Sequence, residues 1–206
     1  MRNRATGASA KEEAKQLIRE RSGIIRTADA LQVGIHPRTL YELRDAGELA
    51  QISRGVYRLA DQQPMSDVDI VTVATRIPRA VICLVSALAF HDITTQIPHT
   101  VSIALERGAE RPRIEHPPLT IHRLSGEALT QGIQEHTIDG VTVRVYSPEK
   151  TLADCFKFRN QLGMDIVLEA LKLYKARKPF DVSELIRYAR ICRVEVIMKP
   201  YIEAML

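Results

Sequence analysis

The chain has little of what an oxidising, membrane or catalytic setting needs. Its three cysteines, Cys83, Cys155 and Cys192, are far apart and odd in number. They form no CxxC pair and no disulfide framework, which points to a reducing cytosol. No apolar run approaches the roughly 20 residues that span a bilayer. The opening MRNRATGASAKEEAKQLIRE has no apolar h-region, so no signal peptide is expected. The six histidines, His36, His91, His99, His116, His122 and His136, form neither HExxH nor a zinc spacing with cysteine. The phosphate loop GxxxxGKS/T, the dinucleotide fingerprint GxGxxG and the nucleophile elbow GxSxG are missing too. The reading is a protein without enzymatic activity, metal or cofactor.

What is present is ordinary in amount and uneven in place. The 206 residues leave room for one large or two small domains, and 45% apolar with 26% charged content suits a soluble globular chain. Residues 1–60 hold 11 Lys+Arg against 7 Asp+Glu, while residues 61–206 hold 18 of each. The whole formal excess of +4 therefore lies at the N-terminal end. A basic footprint of this kind suits a nucleic-acid partner.

That end is also the most patterned. Residues 24–32 read as a short helix with Ile25, Ala28 and Leu31 on one face. Gly34 then makes a turn, and Pro37 opens a second helix, where its missing N–H costs nothing. Leu40 and Leu43 form that helix's core side, and Gly47 stops it. Residues 49–52 and 56–59 alternate about Ser53-Arg54-Gly55, a hairpin signature. Ser9 caps a first helix over residues 10–21 carrying Ala14, Leu17 and Ile18, and residues 1–9 read as disordered. The sum is a winged helix-turn-helix, which docks its second helix in the major groove N-terminal end first. In that docking Arg38 can lie bidentate on a guanine edge, and Thr39 can meet a base or a phosphate. Tyr41 and Arg44 suit phosphates, and Ser53 and Arg54 at the hairpin tip suit the backbone.

The polar stretch 61–65 reads as the boundary, giving domains 1–62 and 66–206. Ser66-Asp67-Val68-Asp69 resembles a capping box for a helix to Arg76, with a strand as competitor because of its β-branched residues. Residues 80–85 read as a short strand or turn, and Ser86 as the cap of a helix to His91. Residues 100–106, 119–124 and 141–146 read as strands, the last paired with residues 136–138 through an Asp139-Gly140 turn. Ser147-Pro148-Glu149 opens a helix to about Arg159, with Leu152, Cys155, Phe156 and Phe158 inward. A second helix carries Ile166, Val167, Ala170, Leu171 and Tyr174. A third follows an Asp181–Glu184 capping box, and a last, over residues 194–206, is interrupted near Pro200. Strands first and helices after give an α+β class.

Within the second domain, Asp154 with Lys157 and Glu149 with Lys150 imitate nuclease sets, but read better as surface helix pairs. The run Lys172, Lys175, Arg177, Lys178 reads as a solvated face. Three functions stay open: a DNA-binding repressor, a protein-interaction module that ignores DNA, and a metal-dependent nuclease.

The segment ending Arg54-Gly55-Val56-Tyr57-Arg58, the Ser86-Ala87-Leu88 helix start with His91, and Ser147-Pro148-Glu149-Lys150-Thr151-Leu152-Ala153-Asp154 together resemble the AbiEi family. Order and spacing carry that resemblance, from about Gly23 to the end; no single motif is specific. It implies an antitoxin of a type IV toxin–antitoxin system, tied to abortive phage infection. The N-terminal winged domain would repress its own promoter at inverted repeats, through Arg38, Thr39, Tyr41, Arg44, Ser53 and Arg54. The second domain would carry antitoxin activity. The implied partners are double-stranded promoter DNA and a nucleotidyltransferase-like toxin that need not form a stable complex. An inverted repeat needs two copies, as a dimer or as monomers side by side.

Overall fold

A computed structural model describes residues 4–62, 65–177 and 180–205. The chain divides into two compact units, residues 1–78 with 137–143, and residues 79–136 with 144–206. The boundary expected between 62 and 66 thus lies inside the first unit, and Gln63 and Pro64 are outside the described residues.

The first unit runs α1 (Arg4–Arg19), β1 (Ile24–Arg26), α2 (Thr27–Gln32), α3 (Pro37–Asp45), β2 (Leu49–Ser53), β3 (Val56–Leu59) and α4 (Val68–Arg76). Its sheet has the order β1-β3-β2, antiparallel throughout. The helix expected from Ile24 is a strand for its first three residues. Ile24, Ile25 and Arg26 lie opposite Arg58, Tyr57 and Val56, so two β-branched side chains fill a ladder rather than a helix face. The helix starts at Thr27, where the Arg26 guanidinium grips Asp29 at 2.6 and 2.8 Å. Ala30 is its buried residue, while Leu31, expected inward, is 54% exposed. Likewise α1 begins at Arg4, so Ser9 lies within it instead of capping it, and residues 1–3 are outside the described part. Ala14 and Ile18 of α1 meet Ile25, Ala30, Leu40, Leu43, Leu49, Tyr57 and Leu59 in one core. A smaller cluster joins Ile24, Val56 and Val71, covered by Met65, Ile138 and Val141. Asp67 caps α4, its carboxylate accepting from Ile70 N at 2.9 Å. The helix reading of 68–76 therefore holds over the strand.

The second unit carries β4 (Val81–Ile82), α5 (Leu84–Phe90), β5 (Val101–Glu106), β6 (Leu119–Leu124) and α6 (Glu127–Thr130). Then come β7 (Ile133–Ile138) and β8 (Val141–Tyr146), whose tip, residues 137–143, groups with the first unit. The sheet order is β6-β5-β4-β8-β7, parallel at β5–β6 and β4–β8 and antiparallel at β4–β5. Asp139 and Gly140 at the hairpin tip both have positive φ, 47° and 77°, as a two-residue turn of the primed type requires. Helices α7 (Pro148–Lys157), α8 (Arg159–Leu162), α9 (Met164–Lys175), α10 (Val182–Ile191) and α11 (Glu195–Glu203) follow. Leu152, Ala153, Cys155 and Phe156 of α7 are buried with Val167, Ala170 and Leu171 of α9 and Leu185 and Ala189 of α10. The architecture is a mixed α+β one.

Two local expectations change here, at Ser86 and at Pro200, while Phe158 packs against the core as expected. Ser86 is not a cap: α5 already starts at Leu84, and the buried Ser86 hydroxyl accepts from Ser102 N at 2.9 Å, tying the helix to β5. Helix α11 continues through Pro200, whose missing donor leaves one turn short of a bond without ending the helix. Phe158 is half-buried, its ring edge-on to His122 at 5.0 Å.

Candidate nucleic-acid interface

Helix α3 and the β2–β3 turn carry all six residues expected to touch DNA. After α2, Gly34 takes φ 84° and lets Ile35 N return to Ala30 O at 2.8 Å, so the chain turns with few loose donors. His36 then caps α3, its Nδ1 accepting from Arg38 N at 3.2 Å, and Pro37 follows at the first helical position. Leu40 and Leu43 are fully buried and set the roll of the helix. The opposite face is left outward. The Arg38 side chain is 81% exposed, Tyr41 is exposed, and Thr39 and Arg44 are half-exposed.

The outward cations are not idle. Arg38 Nε lies 3.0 Å from Glu42, and Arg44 Nη2 lies 2.7 Å from Asp45. The Asp45 hydrogen bond raises the Arg44 pKa, and its guanidinium sits 5.2 Å over the Tyr41 ring. Lys11 and Lys15 of α1 pair with Glu42 at 3.7 Å and Glu48 at 2.6 Å. At the hairpin, Gly55 has φ 73°, which a tight turn here requires of a residue without a β-carbon. Arg54 is exposed and its side chain has no partner among the described residues; its carbonyl accepts from Arg76. Ser53 faces the other way: its hydroxyl is buried without a hydrogen-bond partner among the described residues.

Sequence reading missed a second constellation, on α7. Lys150 and Asp154, taken there for members of surface pairs, are 0% and 1% exposed and pair with each other at 2.5 Å. The Lys150 ammonium also lies 4.1 Å from the Tyr146 ring centroid, and Cys192 Sγ donates to Asp154 Oδ1 at 3.2 Å. Burial, with the Asp154 charge, pushes the Cys192 thiol up to about 12. The signal was available: Leu152, Ala153, Cys155 and Phe156 place apolar residues around most of this helix, so its polar residues had little surface left to face. Glu149 instead accepts from the Tyr174 hydroxyl at 2.5 Å, and burial, with this hydrogen bond second, raises that phenol's pKa. His91 is structural, its Nε2 2.8 Å from Tyr146 O, and burial lowers its pKa. Of the basic run on α9, Lys172 and Lys175 are exposed, Arg177 donates to Asp92 O at 2.7 Å, and Lys178 lies outside the described residues. Among the described residues no three His, Cys, Asp or Glu side chains are grouped to hold a metal ion. No helix among them is long and apolar enough to cross a membrane.

The fold as a whole is shared with a solved structure. The RV2827C protein from Mycobacterium tuberculosis superposes with a TM-score of 0.61 at 17% identity, over 90% of this chain and 71% of that one. At that identity the likeness concerns the α+β fold. The sequence match is more local: residues 12–60 match the family model described as "Transcriptional regulator, AbiEi antitoxin". That segment runs from α1 to the end of β3, and the match supports a regulatory role of the antitoxin kind. No curated protein matches the chain.

Proposed function

We propose that the chain is a DNA-binding autorepressor that serves as the antitoxin of a type IV toxin–antitoxin pair. Its first unit is read as a winged helix-turn-helix, α3 as the groove-reading helix and β2–β3 as the wing. One observation carries this reading. The segment that matches a regulator family also has the element order helix, strand, helix, helix, hairpin, and leaves Arg38 and Tyr41 of α3 exposed. Arg38 is the base reader, with Thr39 beside it, while Tyr41, Arg44 and Arg54 hold phosphates. Ser53 acts at most through its backbone N–H, because its hydroxyl is buried. The second domain supplies the antitoxin activity against a nucleotidyltransferase-like toxin in the cytoplasm, without a stable complex. Two copies occupy an inverted repeat, as a dimer or side by side.

The test is binding to the DNA immediately upstream of the gene, against a scrambled duplex, at low and physiological salt. Preference for the upstream duplex that survives physiological salt is expected, with affinity falling as salt rises through counterion release. Arg38→Ala should cost roughly 1–3 kcal/mol and relax base preference. Arg54→Ala should weaken all duplexes alike. Unchanged affinity in both variants would sink the docking model.

A second reading has one observation in its favour. Both α3 arginines already have carboxylate partners, Glu42 and Asp45, so the outward face of the helix carries no net charge. Such a face suits a protein partner, and co-purification with a toxin in the absence of promoter binding would select it.

A further inference from the structure

The second unit contains a cavity of about 830 Å³ between the start of α6, the end of α7 and the α10–α11 turn. Five cationic side chains line it, from Arg107, Lys157, Arg159, Arg190 and Arg193, against the single carboxylate of Glu127. At Arg38, Arg44 and Lys150 a carboxylate answers the cation. Here only two of the five are occupied. Arg190 Nε lies 2.9 Å from Glu195, and Arg159 donates to Phe156 O at 2.9 Å. The side chains of Arg107, Lys157 and Arg193 have no hydrogen-bond or ion-pair partner among the described residues.

The backbone commits to this arrangement. Arg193 takes φ 59°, a left-handed conformation that a residue with a β-carbon enters at a cost. It closes α10 by donating to Arg190 O at 3.0 Å, while Val194 N reaches Ala189 O at 2.8 Å. The turn thereby brings Arg190 and Arg193 to the same cavity. Glycine is the usual residue at such a position. One wall is apolar, from Ile191, Val194 and Ile197. Cys192 also lines the cavity but stays a thiol, pushed to about 12 by burial and by Asp154, so it supplies no nucleophile. Asp154, behind it, is already neutralised by Lys150.

Unpaired cations gathered in one concave site focus a positive potential and suit an anion of several charges. The volume falls in the range of small-ligand sites. The apolar wall beside the cations suits a ring or a ribose. We propose that this cavity binds a small polyphosphorylated ligand of the nucleoside di- or triphosphate class, with its phosphates on Arg107, Lys157 and Arg193. This inference stands apart from DNA reading by α3 and survives the failure of that reading.

The experiment is calorimetric titration of the full chain with ATP, GTP and inorganic pyrophosphate at physiological salt, repeated on Lys157→Gln, Arg193→Gln and Arg107→Gln. Saturable binding is expected, weakened at least about tenfold in each variant, as loss of a charge-assisted phosphate contact should do. Lys172→Gln on α9 should bind as the parent does. Nucleotides binding more tightly than pyrophosphate would place the ring on the apolar wall; pyrophosphate binding equally well would overturn the nucleoside assignment. Absence of saturable binding by all three, or binding unchanged in all three cavity variants, would overturn the site. So would blocking of the three ligands only by duplex DNA that itself loses affinity in these variants, since the cavity would then belong to a nucleic-acid surface. Arg193→Gly tests folding independently: it keeps the left-handed turn, should leave the protein folded, and should still lose binding.

Discussion

Helices α3 and α7 begin alike and end in opposite circumstances. Each has a proline at its first turn after a side-chain cap, His36 or Ser147. Each then places a base four residues before an acid, Arg38–Glu42 and Lys150–Asp154. The first pair is 81% and 43% exposed, the second 0% and 1%. In water such a pair is worth a few tenths of a kcal/mol, about 0.3–0.5. In the core the Coulomb attraction mostly offsets desolvation, but neither partner can be removed without stranding the other. The same four-residue spacing therefore yields an adjustable surface on one helix and an all-or-none joint on the other. An adjustable pair suits recognition, because Glu42 can release Arg38 to another anion at little cost.

The contrast is broken most directly by Asp154→Ala, which leaves Lys150 charged and buried. About 3–5 kcal/mol of stability should disappear in urea denaturation, and a loss below about 1 kcal/mol would show the pair to be solvated. The double variant Lys150→Met with Asp154→Leu should regain most of it, because both charges leave together. Burial lowers the His91 and His122 pKa values below the ordinary 6.5. Between the lowered values and 6.5 the unfolded chain binds more protons than the folded one. Stability is then complete above about pH 6.5 and declines as pH falls through and below it. A melting temperature for the second unit that stays flat from pH 7.5 to pH 5 would contradict that. A cap is the intermediate case: Asp67→Ala removes the acceptor for Ile70 N and should cost about 1 kcal/mol. The smallest effect should come from Glu42→Gln, under about 0.5 kcal/mol in stability. If Arg38 reads DNA, the same variant should tighten promoter binding; a weaker complex would mean that Glu42 itself makes a contact.

Much of this was legible from residue order, for reasons the two helices also illustrate. The start of α3 at Pro37, the strands on either side of Ser53-Arg54-Gly55, and the Ser147 cap all follow from local chemistry, and local chemistry survives folding. Ile24-Ile25 was misread because apolar spacing of three fits a helix, while the partner strand that recruits them lies about thirty residues away. Ser86 was misread because its hydrogen-bond partners, on and beside β5, are also distant in sequence. For the candidate interface, the positions of Arg38, Thr39, Tyr41 and Arg44 on one helix could be read; the inward turn of the Ser53 hydroxyl could not. Lys150 and Asp154 show the same limit. Burial is a property of what surrounds a helix, and a four-residue spacing says only that two side chains can meet.

The short segment 137–143 has a bearing on how this chain is made. It completes the first unit from afar: Ile138 and Val141 cover Ile24, Val56 and Val71, and Asp139 accepts from Ser66 N at 2.9 Å. On a ribosome adding about 5–20 residues per second, residue 78 emerges seconds before residue 143. During that interval the nascent first unit lacks part of its apolar cover. A shortened product stopping near residue 78 would be left permanently in that condition, and its handling by chaperones and proteases, more than its grip on any partner, would decide how much of it a cell contains.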